Sequence, residues 1–293
     1  MPIDFLGIEL AHPVINGSGT FDAIAARRAF GDALDAAFPF SAFVSKTITL
    51  APRDGNPPPR LWEAPAGLIN SIGLPNKGLE KYLADDLPEL ARLPVPLITN
   101  VMGSTAEEVT ALVEAISERD EVAAIELNVS CPNVKTGLDL GADPASLAAL
   151  LREVRPRATK PLIVKLTPNT ADVAAVAEAA EAEGADAVSL INTLRAMALT
   201  PDGEPWLGGR TGGLSGPAVF QVALAQVAAV AGRVSLPVIG MGGVRSGVQA
   251  KALMAAGATL VAVGTESFRD PGAGARIAAE LSESPENTAV FVR

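Results

Sequence analysis

Short runs rich in Val, Ile, Leu and Ala recur along the chain, each followed by a longer Ala/Glu/Leu-rich segment whose apolar residues return at helical spacing. Such alternation predicts a parallel sheet with crossover helices. The runs centre on residues 13–16, 42–47, 96–101, 123–128, 161–166, 187–192, 236–241 and 259–264, and eight of them predict an α/β fold of the closed (β/α)8 TIM-barrel type. Helical spacing is clearest over 106–117, 144–155, 170–183, 217–231 and 248–256. The third of these opens on Thr170-Ala171-Asp172 and stops before Gly184, a usual helix start and stop.

Two connections are too long for a minimal barrel. Residues 51–77 carry Pro52, Pro57, Pro58, Pro59 and Pro65, and residues 194–216 are rich in glycine. Both leave from the carboxyl ends of predicted strands, where the lids and binding loops of barrels are built. The stretch Ala66-Gly67-Leu68-Ile69-Asn70-Ser71-Ile72-Gly73-Leu74 is too apolar for a free linker and is expected to fold down over something, as a cover that opens and shuts. No repeat, low-complexity tract or linker divides the chain, so residues 1–293 are read as one domain.

Composition narrows the chemistry. The chain has 293 residues, 48% of them hydrophobic, but glycine and proline break the apolar blocks well short of the roughly 20 residues that span a bilayer. The start, Met1-Pro2-Ile3-Asp4-Phe5, lacks the basic and apolar parts of a secretion signal, and a cytoplasmic location is expected. One cysteine allows no intrachain disulfide and no four-cysteine cluster; the lone His12 removes histidine metal clusters and Ser-His-Asp chemistry. No metal site is expected, and redox work would need an organic cofactor. A net charge of −10 argues against a nucleic-acid surface.

The single cysteine, Cys131, lies in Asn128-Val129-Ser130-Cys131-Pro132-Asn133, where an apolar run opens into a loop. It reads either as a small buried hydrophobe or as a proton-transfer group at a strand end. Val238-Ile239-Gly240-Met241-Gly242-Gly243-Val244 and Leu260-Val261-Ala262-Val263-Gly264-Thr265 fall where barrels commonly bind phosphate, although Gly242-Gly243 alone also fits a tight turn. Lys46 and Lys165 sit at strand ends among apolar residues; each either meets an anion or snorkels to the rim. Asn100, Asn128 and Asn192 also close strands and offer amides to the edge of a flat heteroaromatic ring.

Taken in order, Gly67-Leu68-Ile69-Asn70-Ser71-Ile72-Gly73-Leu74, Asn128-Val129-Ser130-Cys131-Pro132-Asn133-Val134-Lys135-Thr136-Gly137, Lys165-Leu166-Thr167-Pro168-Asn169, Asn192-Thr193-Leu194 and Thr211-Gly212-Gly213-Leu214-Ser215-Gly216-Pro217 resemble the class 1 dihydroorotate dehydrogenases. The likeness spans almost the whole chain. Asn56-Pro57-Pro58-Pro59-Arg60 and the Thr211–Gly216 run look most like the class 1B catalytic subunit; class 2 enzymes carry a long N-terminal membrane extension and use serine where this chain has Cys131.

The resemblance implies an FMN enzyme that oxidises (S)-dihydroorotate to orotate in pyrimidine synthesis. Cys131 would remove the C5 proton while C6 passes hydride to flavin N5. Lys46, Asn70, Asn128, Asn192 and Thr193 would hold orotate, together with the run Ser71, Ile72, Gly73 and Leu74. Ser18, Lys46, Thr47, Asn100, Asn128, Lys165, Ile191, Gly216, Gly242, Gly243, Gly264 and Thr265 would contact the flavin, with Lys165 placing positive charge near N1 and the last glycines meeting the phosphate. An electron-transfer subunit with FAD and an iron–sulfur cluster, around a homodimer core of a heterotetramer, is implied as partner; no nucleic acid or membrane is. Arg195, Trp62 and Trp206 depart from the expected pattern in the two long loops. Two rivals stand beside this reading: a dihydropyrimidine dehydrogenase-like module acting on uracil or thymine, and a non-catalytic phosphate-binding barrel subunit.

Overall fold

The computed structural model describes residues 2–129 and 141–283. In chain order its strands are β1 (Ile3–Phe5), β2 (Ile8–Leu10), β3 (Val14–Asn16), β4 (Phe43–Val44), β5 (Leu61–Ala64), β6 (Gly67–Asn70) and β7 (Leu97–Val101). They continue as β8 (Val122–Asn128), β9 (Leu162–Lys165), β10 (Ala187–Leu190), β11 (Leu194–Ala196), β12 (Gly212–Ser215), β13 (Val238–Met241) and β14 (Leu260–Val263). Eight of them form one parallel sheet in the order β3-β14-β13-β10-β9-β8-β7-β4, so all eight predicted runs supply a barrel strand. The predicted helices are present too, as Ala106–Ser117, Pro144–Val154, Val173–Ala182, Phe220–Ala231 and Gly247–Ala255. The third begins three residues later than expected because Asp172 caps it, accepting from the backbone N–H groups of Ala174 and Ala175.

Alternation along the strands explains why the runs read as continuously apolar. In β9, Leu162 and Val164 join the shell that packs on Leu112, Leu147 and Leu151 of the helices, while Ile163 points into the barrel with Ile15, Ala42, Val44, Ile98, Ala124, Ala187 and Ile239. Both faces are covered, as parallel sheets require. The β1–β2 hairpin, not anticipated from the sequence, packs Phe5 and Leu10 against this inner apolar cluster.

The ladder does not run between β3 and β4. The seam is closed by Asn16, whose Nδ2 donates to Val44 O at 2.8 Å while its Oδ1 accepts from Val44 N at 2.8 Å, and by the bond from Ser41 N to Val14 O at 3.0 Å. The predicted strand 42–47 shortens to β4 because the Asn16 amide takes the place of a neighbouring backbone on that side.

The two long connections fold together. β5 and β6 form a hairpin from the first, β12 and β11 come from the second, and all four join as one antiparallel sheet in the order β11-β12-β6-β5. The register sets Gly213 opposite Asn70 and Arg195 opposite Gly213. The first connection is also tied by reciprocal bonds between Arg53 and Asn76, by Asn56 N to Ile72 O and by Ser71 N to Arg60 O. The apolar segment expected to fold down as a cover does so, and it is held in register over much of its length. Of the departures noted in the sequence, Trp62 packs in a small cluster with Ile69, Ala198 and Leu207, Arg195 N donates to Asn169 Oδ1 at 2.8 Å, and Trp206 stands exposed.

Asn16→Ala would strand the buried N–H and C=O of Val44. Each unmatched group costs about 1–3 kcal/mol, so urea unfolding should show a loss of about 2–5 kcal/mol. Asn16→Asp keeps the acceptor but loses the donor and should not restore the wild-type midpoint; a wild-type midpoint for Asn16→Ala would show that the seam closes without this side chain.

Candidate active site

At the carboxyl ends of the barrel strands lies a cavity of about 420 Å³, covered by the antiparallel sheet through Leu61, Leu68, Asn70 and Leu214. Of the residues singled out in the sequence, Ser18, Lys46, Thr47, Asn70, Ile72, Gly73, Leu74, Asn128, Lys165, Ile191, Asn192, Thr193, Gly216, Gly242, Gly243, Gly264 and Thr265 all line it. They come from segments far apart in the chain, and barrel closure brings them together.

One wall carries hydroxyls and amides. Ser18 Oγ donates to Ser45 O at 2.8 Å and lies 3.4 Å from Thr47 Oγ1; Asn128 Nδ2 donates to the same Thr47 oxygen at 3.4 Å. Asn192 Nδ2 reaches Asn128 Oδ1 at 3.4 Å, and Asn192 Oδ1 accepts from Thr193 N at 2.8 Å. From the covering sheet, Asn70 Nδ2 donates to Gly213 O at 3.1 Å. Gly213 is needed for space: a Cβ there would lie 1.9 Å from Thr193 Oγ1.

Another part of the lining is a cradle of backbone. Gly243 takes a φ of 72° and packs so closely that a Cβ would come 2.8 Å from Gly216 O. Beside it Thr265 Oγ1 donates to Ser215 Oγ at 2.8 Å. The two glycine-bearing strand ends, after β13 and β14, thus converge with Gly216 around one part of the cavity, the arrangement that lets N–H groups approach an anion.

Beneath the cavity the barrel interior changes from apolar to polar. Glu126 is 2% exposed; its Oε1 accepts from Ser189 Oγ at 2.7 Å and its Oε2 from Asn100 Nδ2 at 2.5 Å. β9 lies between β8 and β10, so the Ser189–Glu126 bond crosses the barrel interior. Lys165 is 6% exposed, yet its ammonium makes no hydrogen bond or ion pair among the described residues. Lys46 lines the cavity and is likewise unpaired among them; desolvation holds its pKa below the ordinary lysine value, with Asp22 opposing the shift and Arg60 adding to it. Lys46 is exposed, whereas a buried ammonium such as that of Lys165 calls for an anionic or electron-rich partner.

Two expected residues sit elsewhere. Ser71 is buried and turned away from the cavity, donating to Thr211 O at 2.8 Å and accepting from Asn56 Nδ2 at 3.0 Å, which ties the covering sheet together. Asn100 lies in the buried layer with Glu126, not on the cavity wall, and its Oδ1 has no hydrogen-bond partner among the described residues. Cys131, with Ser130, Pro132 and Asn133, lies outside the described residues; β8 ends at Asn128, on the cavity wall. Sequence reasoning passed over Thr20 and Ser215, which also line the cavity. Both were adjacent to recognised positions, in Gly17-Ser18-Gly19-Thr20 and Leu214-Ser215-Gly216. It also passed over Asn169, whose Nδ2 donates to Thr193 O at 3.0 Å and anchors the start of β11.

Fold and site together define an α/β barrel with a cavity at the carboxyl ends of its strands, lined by glycines that follow its last two strands and by two lysines that have no partner among the described residues. The sequence matches the dihydroorotate dehydrogenase family over residues 1–284, and the chain belongs to that family. It is 46% identical over 280 residues to a protein of Pelobacter propionicus, covering 95% of this chain and 91% of that one, named dihydroorotate dehydrogenase B (NAD(+)), catalytic subunit. Proteins of the same name from Citrifermentans bemidjiense (45% over 285 residues, 97% of this chain and 92% of the relative) and Desulforudis audaxviator (46% over 279 residues, 94% and 90%) are similar to it along the same span.

Gly213→Ala tests the packing of the covering sheet on the site. Overpacking typically costs about 1–3 kcal/mol, and here it must be relieved by moving Thr193. The thermal stabilisation given by saturating orotate should fall relative to wild type. Unchanged orotate stabilisation would show that Thr193 does not need its present position.

Proposed function

We propose that this chain is the FMN-bearing catalytic subunit of a class 1B dihydroorotate dehydrogenase. The reaction is the oxidation of (S)-dihydroorotate to orotate in pyrimidine synthesis. The observation that carries the finer reading is Lys165, a buried cation without a partner among the described residues, in the wall of a cavity that is also lined by a glycine cradle.

The residues present fit FMN. Gly216, Gly242, Gly243, Gly264 and Thr265 would hold its phosphate, and Ser18, Thr47, Asn128, Lys165 and Ile191 its ring system. Bound FMN supplies the acceptor for the hydrogen that leaves C6. Lys46, Asn70, Asn128, Asn192 and Thr193 hold the substrate, with Ile72, Gly73 and Leu74 closing its side of the cavity. Lys46, a cation on the cavity wall, favours a ring bearing a carboxylate over uracil or thymine. Cys131, which follows the last residue of β8 by three positions in the sequence, takes the proton from C5 as the resemblance implies. Leu68 and Leu214 of the covering sheet keep water from the reacting face.

A partner subunit completes the reading. The relatives are named as NAD(+)-linked catalytic subunits, and a chain with one cysteine cannot ligate an ordinary iron–sulfur cluster by itself. The partner carries FAD and such a cluster, and the catalytic chain forms the homodimer core of a heterotetramer in the cytoplasm. No helix among the described residues is long and apolar enough to cross a membrane.

Cys131→Ala should retain FMN, visible as a yellow protein with flavin absorption, and lose about 10²–10⁴-fold in the rate of flavin reduction by dihydroorotate, because that is the usual effect of removing a positioned base. Rapid mixing measures it, and a wild-type rate removes Cys131 from the mechanism. Cys131→Ser should be a poor substitute, a hydroxyl being far less acidic than a thiol. In a second assay, the purified chain with dihydroorotate should reduce an artificial dye but be a poor NAD⁺ reductase until the electron-transfer subunit is added. Efficient NAD⁺ reduction by the chain alone would overturn the class 1B assignment.

A further inference from the structure

Glu126 is a buried carboxylate with no part in the proton transfer described above, and its surroundings are unusual for a charge so close to a lysine. β8 and β9 pair with Glu126 beside Ile163 and Asn128 beside Lys165, and β9 and β10 pair with Lys165 beside Ser189. With strands about 4.8 Å apart and a rise of about 3.3 Å per residue, the Glu126 and Lys165 Cα atoms are roughly 8 Å apart, within reach of a direct salt bridge. None forms. Both carboxylate oxygens instead accept hydrogen bonds, one from Ser189 Oγ at 2.7 Å and one from Asn100 Nδ2 at 2.5 Å, the bonding pattern of an anion. Lys165 keeps its ammonium unpaired among the described residues.

We propose that Glu126 is a positioning residue for Lys165: Ser189 and Asn100 hold its carboxylate off the lysine, so that the ammonium stays available to the bound cofactor while a compensating negative charge lies in the same buried layer. The inference rests on the flavin reading above and adds a control on cofactor affinity and potential. Reduction of the flavin adds electron density beside Lys165. Removing the carboxylate leaves the lysine charge uncompensated and favours the reduced form; releasing the carboxylate to pair with the lysine does the reverse.

The test measures FMN binding to the apoprotein and the midpoint potential of the reloaded protein, neither of which depends on turnover. Glu126→Gln keeps two hydrogen-bonding positions and removes the charge. Its potential should move positive by about a tenfold change in the equilibrium with a reference dye, about 30 mV for a two-electron couple. Ser189→Ala frees one carboxylate oxygen, Oε1, to pair with the lysine, and should weaken FMN binding about tenfold and move the potential negative, since loss of a charge-assisted bond is worth roughly that much. The double variant should behave like Glu126→Gln, because Ser189 acts only through the carboxylate. An unchanged potential in Glu126→Gln, an unchanged affinity in Ser189→Ala, or an undiminished Ser189→Ala effect in the Glu126→Gln background would each overturn the proposal. If Glu126→Gln does not fold, Ser189→Ala decides alone, as it removes a single hydroxyl. Failure of the wild-type apoprotein to take up FMN would instead overturn the flavin reading itself.

Discussion

At the seam between β3 and β4, where no ladder runs, the Asn16 amide both gives and takes a 2.8 Å hydrogen bond with the backbone of Val44. A barrel has no edge only if every strand finds a partner on both sides, and an open pair of buried backbone groups would be costly. The site inherits this closure directly. Just beyond the seam, Ser18 bonds to Ser45 O and approaches Thr47, which places Ser18, Lys46 and Thr47 on one wall although they come from different strand ends. The same bond therefore completes the sheet and aligns a part of the cavity.

Along its axis the barrel interior runs from Phe5, Leu10 and the small aliphatic residues to a layer of Asn100, Glu126, Lys165 and Ser189, and then to the cavity. The apolar end supplies stability by burial. In the polar layer the Glu126 carboxylate is satisfied by bonds from Asn100 and Ser189, while Asn100 Oδ1 and Lys165 are left without a partner among the described residues. That division lets one interior serve as core at one end and as a charged floor at the other. It also explains why Asn100 and Ser71 are buried near the site and yet off its wall: each spends its side chain on holding a neighbour, Glu126 in one case and the Thr211 carbonyl in the other.

The cover over the cavity depends on close approach. β6 and β12 pair across 143 positions of sequence, as the bond from Asn70 to Gly213 O records. Gly213 gives Thr193 its room, and backbone bonds among residues 53–76 hold the hairpin in place. Glycine and proline in these connections serve a packed antiparallel sheet.

The sequence by itself determined the barrel. Eight apolar runs with intervening helical spacing are a local signal, because each strand buries both faces and each helix one, and every run became a strand. It also determined most of the cavity wall, since side chains and glycines at the carboxyl ends of barrel strands have nowhere else to point. Tertiary structure decided what depends on partners distant in the chain. The covering sheet was invisible as strands because β11 is only three residues long, β12 opens on two glycines, and β12 finds its partner β6 in another loop. The Asn16 seam, the anchoring by Asn169 and the restraint on Glu126 are single side-chain bonds across strands, which no periodicity encodes. Neither could any local pattern show that Lys165 would be buried without a counter-ion among the described residues, because the nearby Glu126 is occupied by bonds that form only in the closed barrel.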